Sequence, residues 1–300
     1  MIQQRTSSRR RTAACTAAFA LAAVAAPQFA AAQVTFDVIG PHEYDLPVDY
    51  QPWNVFVQYV TVQQNDDAFD TSGDKISLHP ESRAITGLSK WVHFFTVDSL
   101  PGVGMGFEVI QPEVNVHIDA TSSTSAHSNS GFGDTLIGYA IWYKPTEGST
   151  LGLQTFIQMP IGSNEVSDTN WKNLTSVLWY VPFGTDGRWG WTGDAGFVFQ
   201  SPRDDGVHPG VTFHTNNRIG FKVNQLIEPF VAIDYEHTSS GSLRDAGEAD
   251  TPESHVLDLG AGVMFNLYKN QSLALRYSRS TDGENHSFNN SVNIKYVYVF

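Results

Sequence analysis

Twelve segments of about ten residues follow one another through this chain, each with large apolar side chains at every second position. A period of two places neighbouring side chains on opposite sides of a strand, so each segment reads as a strand with two unlike faces. The last is the sharpest: Val292, Ile294, Tyr296, Tyr298 and Phe300 share one face, and Ser291, Asn293 and Lys295 share the other. Chain ends usually fray into water, so an aromatic strand with no polar tail is unusual for a soluble protein. Beyond the N-terminal stretch there is no run of about 18 apolar residues, the length a membrane-crossing helix needs. A chain of this pattern that crosses a bilayer must do so as a closed sheet.

The spacing of the segments narrows the fold. They are expected near 53–63, 87–98, 103–118, 132–144, 150–160, 174–183, 188–200, 210–222, 227–237, 254–267, 272–280 and 291–300. Long polar connections follow the odd-numbered segments, and short turns such as Thr185-Asp186-Gly187 follow the even-numbered ones. An even count with strictly alternating loop lengths fits a bacterial transmembrane barrel, with long loops outside and short turns in the periplasm. Greek-key connections of a soluble sandwich are not expected to alternate in this way. The expectation is an all-β, transmembrane, antiparallel up-and-down β-barrel of about twelve strands over residues 53–300. Within it, Pro112 is expected to mark a bulge where the apolar face changes parity.

Residues 1–32 read as a secretory signal peptide. Arg5, Arg9, Arg10 and Arg11 precede the apolar stretch Ala13 to Ala26, and Ala30-Ala31-Ala32 offers a small-residue cleavage site. Residues 33–52, with Pro41, Pro47 and Pro52, read as a periplasmic or plug-like lead-in. The one cysteine, Cys15, lies in the signal, so the mature chain carries no disulfide or thiolate site. Cleavage would reduce Lys+Arg from 18 to 14 against 31 acids, a net charge of −17 that disfavours nucleic acid.

In a barrel surrounded by lipid, the polar face of each strand points inward. The lumen-facing candidates are Arg188, Asp194, Asp234, Glu236, Asp258, Arg276 and Lys295; the same parity extends to Gln154, Gln158, Arg218 and Lys222. These charges either brace the interior by pairing across it or select solutes in a wet pore. Ile294, Tyr296 and Tyr298 are expected to face lipid with Phe300 at the periplasmic rim, and the four resemble the C-terminal insertion signal read by the outer-membrane assembly machinery. The seven tryptophans suit interfacial belts near strand ends or, for some of them, stacking on an aromatic solute. No nucleophile elbow, phosphate loop or zinc-protease motif is present, the ten histidines are scattered, and no catalytic residue, cofactor or metal ligand is nominated. Asp66, Asp67, Asp70 and Asp74 lack a full calcium-loop pattern and read as a solvated acidic loop.

The stretch Gly131-Phe132-Gly133-Asp134-Thr135-Leu136-Ile137-Gly138-Tyr139 resembles the bacterial family labelled putative meta-pathway of phenol degradation proteins, often described simply as transporters. Leu259-Gly260-Ala261-Gly262-Val263, Tyr268-Lys269-Asn270 and Leu273-Ala274-Leu275-Arg276-Tyr277 are similar to it as well, so the resemblance spans roughly 50–300. It implies an outer-membrane barrel and uptake of hydrophobic or aromatic compounds, and provides no catalytic residue. The glycines themselves suit a bend entering a strand, with Asp134 capping loop backbone. The expected function is a passive outer-membrane channel for small aromatic or hydrophobic solutes, not an enzyme, with outer-membrane lipids and lipopolysaccharide as surroundings. The alternatives are an outer-membrane lipid hydrolase and a structural or adhesive barrel.

Overall fold

The computed structural model describes residues 40–122, 125–243 and 251–300; the signal segment 1–32 lies outside them. Twelve barrel strands follow in chain order: β1 (Trp53–Gln64), β2 (Ser82–Phe95), β3 (Val103–Ile118), β4 (His127–Phe132 continuing as Leu136–Tyr143), β5 (Thr150–Gln158), β6 (Lys172–Phe183), β7 (Trp189–Gln200), β8 (Thr212–Phe221), β9 (Ile227–Thr238), β10 (Ser254–Tyr268), β11 (Gln271–Glu284) and β12 (Asn290–Val299). Each pairs antiparallel with its neighbours in sequence. β1 pairs with β12 from Val55–Val299 to Gln63–Ser291, which closes the ring. A small hairpin, Asp67–Phe69 with Lys75–Ser77, decorates the first long loop.

Alternation sets the two surfaces. Ile137, Val177, Phe197, Ile219, Val231 and Tyr277 stand exposed on the outer face, while their neighbours along each strand are buried within. In water this band would be a liability; against lipid it is the favourable surface. The protein is a transmembrane β-barrel.

Three local features depart from the sequence expectation. Strand β2 begins five residues earlier than the pattern at 87, and β4 begins inside the expected loop Thr121 to Ser130, because His127–Phe132 extends the ladder along Ile118–Glu113. The bulge is on the facing strand, not on β3. The β2–β3 register runs unbroken past Pro112. On the other side, Glu113 pairs with Phe132 and Ile110 with Leu136. Gly133, Asp134 and Thr135 thus stand opposite only Gln111 and Pro112, and the extra residue reverses the parity of β4. Thirdly, the outer face is not wholly apolar. Ser89 Oγ lies 2.8 Å from Gln58 Oε1 and 2.7 Å from Glu113 Oε1, its one proton shared between them, and Thr135 donates to Gln111 Oε1 at 2.7 Å. These groups satisfy one another, which is the condition for polar atoms on such a surface.

Candidate functional site: the barrel interior

The inner wall has two chemically distinct sectors. From β1 to β6 it is mainly apolar. Val55, Val57, Tyr59 and Val92 form one buried cluster, and Ile110, Leu136, Phe156, Leu174 and Val198 form another. Large and small residues interdigitate: a Cβ on Gly138 would meet the Phe156 ring at 2.1 Å, and one on Gly104 would meet the Trp142 indole at 2.3 Å. Charges in this sector are few and paired, as in Lys90–Glu108 at 2.5 Å and Lys172–Asp168.

From β7 to β12 the inward positions are mostly polar, with Val198, Phe230, Val256 and Met264 interspersed among them. Asp194 is fully buried and accepts from Asn216 at 2.9 Å, with Ser176, Gln154 and His214 at 3.4–3.5 Å. Asp234 is held by both guanidinium nitrogens of Arg218, one of them at 3.1 Å, and by Arg276 at 2.9 Å. Asp258 accepts from Ser280 at 2.7 Å and from Asn289 at 2.5 Å. Glu236 meets His286 at 3.7 Å. Burial opposes protonation of His286, yet Glu236 and the Ser287 carbonyl outweigh it and raise its pKa.

Lys295 is buried and ion-paired with Glu43. Arg188 stands apart from the other candidates. It lies in the turn before β7, half exposed, with its guanidinium 4.4 Å from the Phe221 ring centroid and donating to the carbonyls of Lys222 and Val223. Lys222 also falls in a turn, just past β8. In β12, Val292 and Tyr298 are exposed on the outer face, as is Phe300 just beyond the strand, and Ile294 and Tyr296 share their parity at intermediate exposure.

Residues 40–52 supply the groups that the sequence reading did not place. His42 Nε2 lies 2.9 Å from Glu228 Oε2, and Pro41 packs near Gly220. Glu43 accepts from Tyr59 at 2.6 Å as well as from Lys295. Tyr44 is buried among Ala140, Trp142, Leu178 and Tyr180, and its hydroxyl accepts from Gln154 Nε2 at 3.0 Å. Trp142 donates to the Pro47 carbonyl at 2.7 Å, and the Tyr50 hydroxyl lies 3.0 Å from both the Phe95 and Met105 carbonyls, its one proton shared between them. The segment lies against the inner faces of β1, β4, β5, β9 and β12. Two tryptophans read as interfacial are therefore inside: Trp142 at 1% exposure, and Trp53, which stacks on Phe94 at 4.9 Å. Trp91, Trp171, Trp189 and Trp191 are on the outer surface.

Asp134 anchors the loop after β5. Its Oδ1 accepts from Gly162 N at 2.9 Å and Ser167 Oγ at 2.7 Å, and its Oδ2 accepts from Asp168 N at 2.9 Å. A Cβ on Gly131 would strike Ser163 Oγ at 2.5 Å, and one on Gly133 would strike Pro112 at 2.9 Å. The Gly-x-Gly-Asp motif is thus a bulge and a loop anchor in one. Among the described residues no group of three His, Cys, Asp or Glu side chains is arranged to hold a metal ion.

Comparison with solved structures aligns the chain with an outer membrane channel from Pseudomonas putida F1, at TM-score 0.76 and 16% identity over 87% of this chain and 100% of that one. The β domain of the Bordetella autotransporter BrkA aligns more loosely, at TM-score 0.48 and 13% identity over 84% of this chain and 100% of that one. The first likeness establishes the fold. A comparison with curated protein sequences finds no match. A family described as "Putative MetA-pathway of phenol degradation" matches residues 65–296, and the chain belongs to that family.

Proposed function

We propose that this protein is a passive outer-membrane channel for small aromatic or hydrophobic compounds in a Gram-negative bacterium. The observation that carries the reading is the divided interior. An apolar sector faces a hydrogen-bonded polar sector across a twelve-strand barrel, a width between filled small barrels and wide porins. Such an interior would pass solutes with an apolar body better than sugars or bulk ions, because most of the polar groups are already bonded to one another. Asp194, Asp234, Glu236, Asp258, Arg276 and Lys295 are the lumen-facing set in this reading, bracing the wall by pairing. Residues 40–52 act as a plug that occludes the path from the periplasmic side. The signal peptide 1–32 would be removed on export, the assembly machinery would read the C-terminal strand, and lipopolysaccharide would surround the outer leaflet.

The Pseudomonas putida neighbour is an outer membrane channel, which agrees with this reading. The test is permeation into liposomes carrying the purified protein. Benzyl alcohol uptake above that of empty liposomes, with sucrose excluded, is the expected result. Deletion of residues 33–50 should raise ion conductance in planar bilayers. No uptake of any monoaromatic compound by a protein with heat-modifiable mobility would overturn the channel reading.

A further inference from the structure

The N-terminal segment places a carboxylate and a phenol side by side in a seat made by the wall. Glu43 presents its carboxylate to Lys295 Nζ and to the Tyr59 hydroxyl at 2.6 Å, and its side chain is only 10% exposed. Tyr44, 7% exposed, inserts its ring among Ala140, Trp142, Leu178 and Tyr180. The Gln154 amide closes the far end by donating to the phenol at 3.0 Å. An aromatic ring with a carboxylate close by is thus what the wall already binds, and it binds it with its own backbone-fixed residues.

Occupant and seat differ in how firmly they are held. The seat belongs to β1, β4, β5, β6 and β12, whose backbones are locked in continuous ladders. Residues 40–52 contribute no strand and carry three prolines, so they are held mainly by side-chain contacts. Were the segment to leave, the buried Lys295 ammonium would lose its carboxylate, and a buried cation without an anion is costly. A neutral hydrocarbon would fill the ring pocket but leave that cost in place. An aromatic acid would supply both parts.

We propose that the seat of Glu43 and Tyr44 is a solute-binding site for aromatic carboxylates, and that such a solute enters by displacing the segment. The inference deepens the channel reading and rests on it for the route by which the solute arrives. The segment is then an internal competitor. A site open for only a fraction of the time binds with an affinity reduced by that fraction.

The test is calorimetric binding of 4-hydroxybenzoate to the full chain in detergent, with benzyl alcohol as the neutral comparison. Glu43→Gln with Tyr44→Ala should tighten 4-hydroxybenzoate binding by about tenfold or more, because the competitor is weakened. Adding Lys295→Gln to that pair should take the gain away, by about tenfold or more, as expected for loss of a charge-assisted contact. Benzyl alcohol, which fills the ring pocket without a carboxylate, should share the gain from the weakened competitor and change by less than about twofold when Lys295→Gln is added. Heat-modifiable mobility reports whether each variant is folded; Glu43→Gln alone is the milder variant if the pair does not fold. Unchanged acid binding in the folded competitor variants, or indifference to Lys295→Gln, overturns the proposal. Liposome permeation separates it from the broader reading. Neutral aromatic passage without acid binding sinks this site and leaves the channel, whereas acid binding without any passage sinks the channel and leaves the site.

Discussion

The inner wall of β1–β6 and that of β7–β12 share a backbone and differ in filling. In the first sector, rings and branched side chains interlock over glycines, as Phe156 does over Gly138. In the second, carboxylates and guanidiniums hold one another, as Asp234 does with Arg218 and Arg276. Apolar packing is forgiving in kind, since one hydrophobic residue can replace another of similar volume. A buried ionic network is unforgiving, since removing one member leaves the rest desolvated. The apolar sector should therefore tolerate substitution, and the polar sector should fix the shape of the lumen.

The largest effect follows from Asp234→Ala, which removes the carboxylate that both buried arginines bond. It should cost about 3–5 kcal/mol in urea unfolding of the barrel in liposomes. A stability change under about 1 kcal/mol would break the contrast between the sectors. Converting the triad together, with Arg218→Met, Asp234→Leu and Arg276→Met, should recover most of that loss, because a well-packed apolar replacement removes the desolvation cost. In the other sector, Leu136→Ala should cost about 3 kcal/mol, and Leu136→Met less than about 1.5 kcal/mol. Asp134→Ala leaves the amides of Gly162 and Asp168 without their acceptor. About 1–3 kcal/mol and selectively faster hydrogen exchange across residues 159–171 are expected.

The smallest effect is on pH. The pKa of His286 is raised in the folded protein, so its tie to Glu236 contributes fully below the ordinary histidine value and is lost as pH rises through the raised one. Its contribution should not exceed about 1 kcal/mol at this partly exposed rim. Amide exchange at Phe288 and Asn289, corrected for its intrinsic pH dependence, should accelerate across that window. His286→Gln should abolish the step.

The barrel was legible because its determinants are local and repeated. Period-two segments, turn chemistry and alternating loop length are all written within about ten residues of one another. Strand β8 was the least regular, since Thr215 and Asn217 interrupt its outer face. The structure accounts for both: the Thr215 hydroxyl donates to the Asp194 carbonyl, and Asn217 accepts from the Trp191 indole. The interior was legible only in parity. Nothing near Lys90 in the sequence announces Glu108, because the two meet as diagonal neighbours only in the particular register of β2 on β3, and nothing near Lys295 announces Glu43, because that pair meets only once the segment lies inside the curled sheet. Lys90 was further hidden by a strand in which both faces carry apolar residues. The parity rule failed for Arg188 because a turn residue obeys no alternation. The bulge was correctly placed in height and assigned to the wrong strand, since Pro112 marks the ladder that Gly133 to Thr135 depart from.

The seam between β1 and β12 has a consequence for the order in which the molecule is made. Its register pairs join residues separated by nearly the whole barrel sequence, and contacts of that kind carry the slowest closure. The inner side of the same seam bears Lys295 and Tyr59, the groups that grip Glu43. The segment before β1 thus has two routes to its place. It can lie within the curling sheet before the last strand docks, or it can thread in from the periplasmic mouth afterwards. In the first case β12 shuts a door behind it. Closure of the wall and the resting state of the lumen are then a single assembly event.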